Sequence, residues 1–264
     1  MSLALAVRAF ELLLGWSLLL QTLEYLRLPA RDRVSHWPTQ RRELPARPAW
    51  LRPMLDALMA PPALRALLLL RLALALALMA GLLRGPLGLA GALGLFGLAL
   101  LLLFRWRGAF NGGSDFMTLV GLTGLLIAQL VGAWGDAAAG WRAGLWYVAL
   151  QSVTSYFVSG WVKLLRPEWR SGRALPVFLD SGFYGPLAAQ SAYRHPGLAR
   201  AVAWGFTVWE GLFPLALLDA RLAAAFCASA TVFHFLVFWY FGLNRFFWAW
   251  LATFPAVLFA SLSN

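Results

Sequence analysis

The chain has 264 residues, 61% of them hydrophobic and only 12% charged, with a formal net charge of +11. A soluble domain is nearer half apolar and carries about twice that share of charged residues, so composition excludes a soluble fold. The positive charge sits in a few loops between apolar runs, and no oligonucleotide-binding, RNA-recognition or helix-turn-helix pattern is present, which points to a bilayer and not to nucleic acid.

A membrane-crossing helix needs about 20 mostly apolar residues. Eight stretches qualify: 6–28, 64–83, 86–104, 115–134, 142–165, 199–218, 222–243 and 246–262. Backbone groups in lipid must pair within the segment, and nothing alternates as a barrel strand would. The expected fold is an all-α integral membrane protein, a polytopic bundle of about eight transmembrane helices forming a single membrane domain over 1–264.

The first stretch carries Glu11, then Ser17, Gln21 and Glu24 at 4-3 spacing. Segment 29–63, rich in Pro and Arg, reads as a cytoplasmic polar loop in which LRPMLDALMA forms a short interfacial helix. Arg71 lies inside the second stretch. The run Asn111–Asp115 reads as a turn into the fourth, with Ser114 or Asp115 as its cap. The fifth stretch is the richest in polar groups. Ser152, Tyr156, Ser159 and Lys163 follow 4-3-4 spacing and share one face, flanked by Gln151 and Ser155.

Ionisable side chains inside a membrane are costly and are functional candidates by default. Lys163 is the single Lys among 22 basic residues. Arg keeps its charge at ordinary pH, whereas a desolvated Lys can give up its proton. Two readings stand for Lys163: a group facing a wet cavity in the bundle, or an ammonium snorkelling to the headgroups from a helix end. Segment 166–198 is too polar to span simply. Its run ALPVFLDSGFYGPLAA, with Pro176, Asp180, Gly182, Gly185 and Pro186, reads as re-entrant or interfacial.

The sixth stretch has Thr207 and Glu210, followed by Pro214. The acids Glu11, Glu24 and Glu210 are each expected to pair with an Arg or with Lys163. The seventh puts Cys227, Thr231 and His234 on one face. Cys227, the single cysteine, can form neither an intrachain disulfide nor a cysteine metal site. His36 and His195 fall in loops with no ligand spacing, so no metal is expected. His234 reads as a hydrogen-bonded structural residue or as an acid, base or donor to a bound ligand. Asn244-Arg245 opens the last stretch, with Asn244 as cap.

Sixteen Arg residues fall in the loops after the first, third, fifth and seventh stretches, against four (Arg8, Arg84, Arg142 and Arg221) on the opposite side. That bias puts the Arg-rich side in the cytoplasm and both termini outside. No nucleotide loop, zinc-protease or serine-hydrolase motif is present. No internal repeat supports a transporter of inverted halves.

The stretch YFVSGWVKLLRPEWRSGRAL (Tyr156 to Leu175) resembles the Tyr-Phe-x-x-Gly-x-x-Lys-Leu…Trp-x-x-Gly motif of vitamin K-dependent gamma-carboxylases and their bacterial relatives, the horizontally transferred transmembrane domain family. FHFLVFWYFGLNRFFWAWLATFP (Phe233 to Pro255) is similar to that family's Phe-His…Phe-x-x-Gly…Phe…Ser/Thr-x-Pro stretch. NGGSDF stands where the carboxylases have Asn-Asn-His-Ser. The resemblance covers essentially the whole membrane region in the right order, and its most specific part is the Lys-Leu…Trp-x-x-Gly run.

The resemblance implies a membrane-embedded enzyme that uses a vitamin K hydroquinone or another quinol. Lys163 stands where the family's base deprotonates the hydroquinone, and His234 matches a His near the reacting groups. Tyr156, Ser159, Trp169, Gly172, Asn111 and Asn244 make up the implied cofactor-binding set. Three departures bear on the reaction. Gly113 replaces the family His, LRPEW is one residue longer than the motif, and the large extracytoplasmic propeptide-binding domain is absent. They shift the expectation from glutamate carboxylation toward maturation of a peptide or protein, as in short bacterial relatives, at the bacterial inner membrane. The implied partners are membrane lipid, a peptide substrate and a companion subunit. The rival reading is a non-enzymatic membrane subunit that holds a secreted peptide during maturation or export.

Overall fold

The computed structural model describes residues 1–28, 37–42, 50–106 and 112–262, and its regular structure there is entirely helical. Helix α1 (Leu3–Arg27) starts where the Ser2 hydroxyl accepts the Leu5 N–H at 3.3 Å. The next segment is more ordered than its composition suggests. It contains α2 (Trp37–Arg42) and α3 (Leu51–Met59), while 29–36 and 43–49 lie outside the described residues. Asp56 on α3 accepts the Trp37 indole N–H at 2.7 Å and an Arg41 N–H. Leu55 and Met59, four residues apart, bury one face of α3 against Trp37. Helix α3 falls where the sequence reading puts the short helix of LRPMLDALMA.

Helices α4 (Pro61–Met79) and α5 (Gly85–Trp106) follow, then α6 (Gly112–Trp134) and α7 (Ala137–Leu165). Asp136 caps α7 by accepting the Ala138 and Ala139 N–H groups at 3.2 and 3.0 Å. Because α6 already begins at Gly112, Ser114 and Asp115 lie in its first turn and neither is the cap expected from the sequence.

Segment 166–198 folds as α8 (Pro167–Arg170), α9 (Ala174–Leu179) and a 3-10 turn at Ala192–Arg194, against the ends of the helices that follow. The sixth apolar stretch is α10 (Pro196–Gly211) followed by a 3-10 turn at Phe213–Leu217, where Pro214 lacks the N–H needed to continue an α-helix. Helix α11 (Ala220–Phe241) is capped by Asp219 and stopped by Gly242 at φ +71°. The last stretch divides into α12 (Asn244–Leu251) and α13 (Phe254–Leu262), with Pro255 just past the break. Asn244 is the first residue of α12, with no side-chain cap, contrary to the sequence reading.

Five helices are long and apolar enough to cross a membrane by length and composition: α1, α4, α5, α6 (from Gly113) and α11. Their outward faces carry exposed Leu69, Leu70, Leu87, Leu93, Val232 and Leu236. Apolar surface this extensive on several helices is stable only in lipid. The protein is therefore an all-α membrane protein. Its inner faces pack Phe10, Leu14 and Leu18 of α1 with Leu95, Leu122, Leu125 and Val148.

Polar pairs fix the ends of the bundle. At one end Glu11 is buried and accepts hydrogen bonds from Arg8 (3.5 Å) and Arg84 (2.8 Å). Those bonds hold the Arg84 guanidinium, in the turn before α5, above its ordinary pKa. At the other end lie Arg27, Arg105 and Lys163, each in the last turn of its helix.

Candidate functional site

The polar stripe on α7 turns inward along its whole length and meets a different helix at each level. Ser152 shares a 3.0 Å hydrogen bond with Thr253, beside α13. One turn on, the Tyr156 hydroxyl lies 2.5 Å from His234 Nε2 on α11. At the Arg-rich end, Lys163 Nζ donates to Ser159 Oγ at 2.7 Å and to Glu210 Oε2 on α10 at 2.5 Å. Lys163 therefore does not snorkel outward. Its side chain is 16% exposed and that of Glu210 is 5% exposed.

Two glycines allow this meeting. A Cβ at Gly160 would stand 2.5 Å from the Gly211 nitrogen and 2.9 Å from the Thr207 carbonyl oxygen, so only Gly lets α10 approach α7 one turn from Lys163. Gly172 turns the chain between α8 and α9 at φ +82°, and a Cβ there would meet the Arg200 nitrogen at 2.4 Å. That turn presses α8 onto α10 and sets the Trp169 ring 5.2 Å from Lys163 Nζ, a cation–π distance. Replacing Gly160 with Leu is expected to push α10 away and cost about 1–3 kcal/mol or more. A fall in melting temperature in detergent checks it; an unchanged melting curve would contradict the packing argument.

Beside the Lys163–Glu210 pair lies a cavity of about 400 Å³. Its walls are Trp169, Leu175, Phe178 and Leu179 from α8 and α9, Val202 and Phe206 from α10, and Phe233, Val237 and Tyr240 from α11. The Tyr240 hydroxyl already donates to the Leu179 carbonyl at 2.9 Å. The lining is almost wholly apolar, and its charged groups are Lys163 and Glu210. Cavities of this size, with a few convergent polar groups in an apolar wall, are the usual form of small-molecule sites. Apart from Trp169, which belongs to the quoted motif, these wall residues read in the sequence as ordinary apolar residues of apolar segments.

His234 does not line this cavity. It sits deeper, 2% exposed, stacked on Trp250 at 4.8 Å and edged by Phe233 and Phe246. Tyr156 is seven residues from Lys163, about 10 Å along the helix. Its ring stacks on Phe213 at 3.8 Å. Tyr156 and His234 thus form a buried pair behind the cavity wall, and His234 Nδ1 has no hydrogen-bond partner among the described residues. Tyr156→Phe leaves His234 Nε2 unsatisfied as well, an expected loss of about 1–3 kcal/mol. Thermal unfolding of the purified variant measures it.

Asn244 belongs elsewhere. Its side chain donates to Glu24 at 3.2 Å, next to Arg245, which pairs with Glu24 (3.6 Å) and Asp115 (2.6 Å) and donates to the Tyr25 hydroxyl at 2.8 Å. Gln21 donates to Asp115 at 2.9 Å and accepts from Arg71, whose other end donates to Thr22 at 2.8 Å. This second cluster joins α1, α4, α6 and α12. Asn111 lies outside the described residues. The structure thus puts Lys163 and Trp169 in the wall of one cavity, with Ser159 bonded to Lys163 and Gly172 in the turn after Trp169; it pairs Tyr156 with His234 behind that wall and separates Asn244 from both.

No family model, curated protein or solved structure matches this chain. The functional reading therefore rests on the cavity, its ion pair and the motif residues around them.

Proposed function

We propose that the protein is a membrane-embedded enzyme acting on a quinol-type lipid, with the Lys163–Glu210 pair as its proton-accepting group. The observation that carries this reading is an ion pair in the wall of an otherwise apolar, aromatic-rich cavity. Such a cavity suits a neutral aromatic headgroup with one polar edge, and the pair gives that edge its only charged partners. The Lys163 position matches the base implied by the resemblance to the gamma-carboxylase-like family. Because Lys163 is ion-paired, the base is the pair and not the lysine alone. A proton leaving a ligand hydroxyl would pass to the Lys163 nitrogen as one of the lysine's own protons shifts to Glu210, and the ammonium so restored would stay beside the oxygen left charged. Trp169 and Ser159 hold the ammonium in place. When bound, vitamin K hydroquinone or another quinol would supply two electrons, with molecular oxygen as their acceptor as in the family this chain resembles, and a peptide would be the substrate to be modified.

The same proposal includes the topology. Eight passes cross the bacterial inner membrane: the five long apolar helices, α7, α10 with its 3-10 extension, and α12 with α13. The Arg-rich end, with Lys163, faces the cytoplasm.

Titrating the protein in nanodiscs with decylubiquinone tests the reading. Saturable quenching of tryptophan fluorescence is expected, and Val202→Phe, which fills the cavity, should remove the saturable phase. A response in the parent protein that is only linear in quinone would overturn it. A second reading, a membrane subunit that holds a peptide or companion protein, draws on the exposed Val177, Phe178, Phe183 and Tyr184 of segment 166–198. Photo-crosslinking from position 183 that traps one peptide, with no quinone bound, would favour it.

A further inference from the structure

We infer that Glu210 is a specificity residue that keeps acidic amphiphiles, fatty carboxylates above all, out of the cavity and reserves it for neutral headgroups. The inference rests on the cavity and ion pair that also support the quinol reading, but it concerns charge selection and does not require the ligand to be a quinol.

The cavity sits among apolar helices, where single-chain amphiphiles such as fatty carboxylates are candidate occupants. A buried Lys in an apolar tube is an obvious trap for them. In this protein the trap is closed. Glu210 Oε2 lies 2.5 Å from Lys163 Nζ, and Ser159 Oγ accepts a second of the ammonium's three hydrogens. The Trp169 face covers the ammonium at 5.2 Å. The positive charge is thus already matched by a carboxylate from the neighbouring helix. A second carboxylate placed at the pair would face Glu210 at short range in a low-dielectric wall, where like charges repel strongly. The Tyr240 hydroxyl offers no replacement donor, since its hydrogen is engaged by the Leu179 carbonyl. A neutral hydroxyl or carbonyl meets no such penalty, because it can donate to Glu210 or accept from Lys163.

The prediction separates cleanly from quinol binding. Protein in detergent is incubated at pH 7.5 with tetradecanoate or tetradecan-1-ol, exchanged, and the retained probe quantified by mass spectrometry. The parent protein is expected to retain the alcohol at least tenfold better than the acid. Glu210→Gln, which leaves the Lys163 charge unmatched, should reverse that order and gain at least tenfold in tetradecanoate. The double variant Glu210→Gln/Lys163→Gln should lose the gain, which locates it at the ammonium. Equal retention of acid and alcohol by the parent overturns the inference whether or not Glu210→Gln folds. Failure of decylubiquinone to bind, with the alcohol-over-acid preference intact, would instead sink the quinol reading and leave the charge filter standing.

Discussion

Lys163→Arg is expected to reduce quinol-dependent activity by a factor of about 10² to 10⁴, the usual contribution of a positioned acid–base group, while the helical fold is kept. Arg preserves the charge that Glu210 needs, so the ion pair and the α7–α10 contact survive. It does not preserve the chemistry, because a guanidinium holds its proton at any ordinary pH and cannot take part in proton sharing. Its planar fork is also larger than the ammonium now held between Ser159, Glu210 and Trp169. Turnover of a reduced quinone by the variant in nanodiscs, set beside its melting temperature, is the measurement. Full activity with Arg at 163 would remove proton transfer at this position from the account.

Breaking one partner of the second buried cluster should have the largest effect on stability. Arg245 and Asp115 are about nine-tenths buried and 2.6 Å apart, with Gln21 and Tyr25 completing their hydrogen bonds. Removing a single partner of such a pair typically costs about 3–5 kcal/mol; Arg245→Met takes the cation from Asp115, and Asp115→Ala leaves the guanidinium with the more distant Glu24 carboxylate at 3.6 Å. Asp115→Ala or Arg245→Met is therefore expected to lower the melting temperature sharply. The double variant Asp115→Leu/Arg245→Met should recover part of the loss, since it removes both charges together. A double variant at least as unstable as the sum of the singles would show that the two residues do not act as a pair. Because neither residue lines the cavity, this loss is one of folding and not of ligand recognition.

How much of this was readable beforehand depends on the range of each signal. The stripe from Ser152 to Lys163 was legible because 4-3-4 spacing projects onto one helix face whatever surrounds it, and that face does turn inward. The pairing of Glu210 with Lys163 was one of several open to each acid. Nothing local favours a partner 47 residues away, and only the close approach at Gly160 decides it. Asp115 shows the opposite error. An acid at a helix start reads as a cap, and its true partner, Arg245, is 130 residues distant. Asn244 was misread in the same way, as a cap, where it reaches across to Glu24 on α1. In segment 29–63 the helix of LRPMLDALMA was legible and is α3, whereas α2 was not, because its six residues are mostly polar and span less than two turns. The broken last stretch has its cause in Pro255, whose missing N–H does not register in mean hydropathy. Apart from Trp169, the aromatic cavity walls had no sequence signal of their own, since wall and lipid-facing residues are chemically alike in a membrane helix.

The central claim is that the cavity beside Lys163 holds a quinol-type lipid. Its most direct test is mass spectrometry of lipid extracted from the purified protein and from Lys163→Ala. A quinone retained by the parent and lost or strongly reduced in the variant is the predicted result. Absence of quinone from both, in preparations that keep their native lipids, would contradict it and shift the account to the peptide-holding subunit.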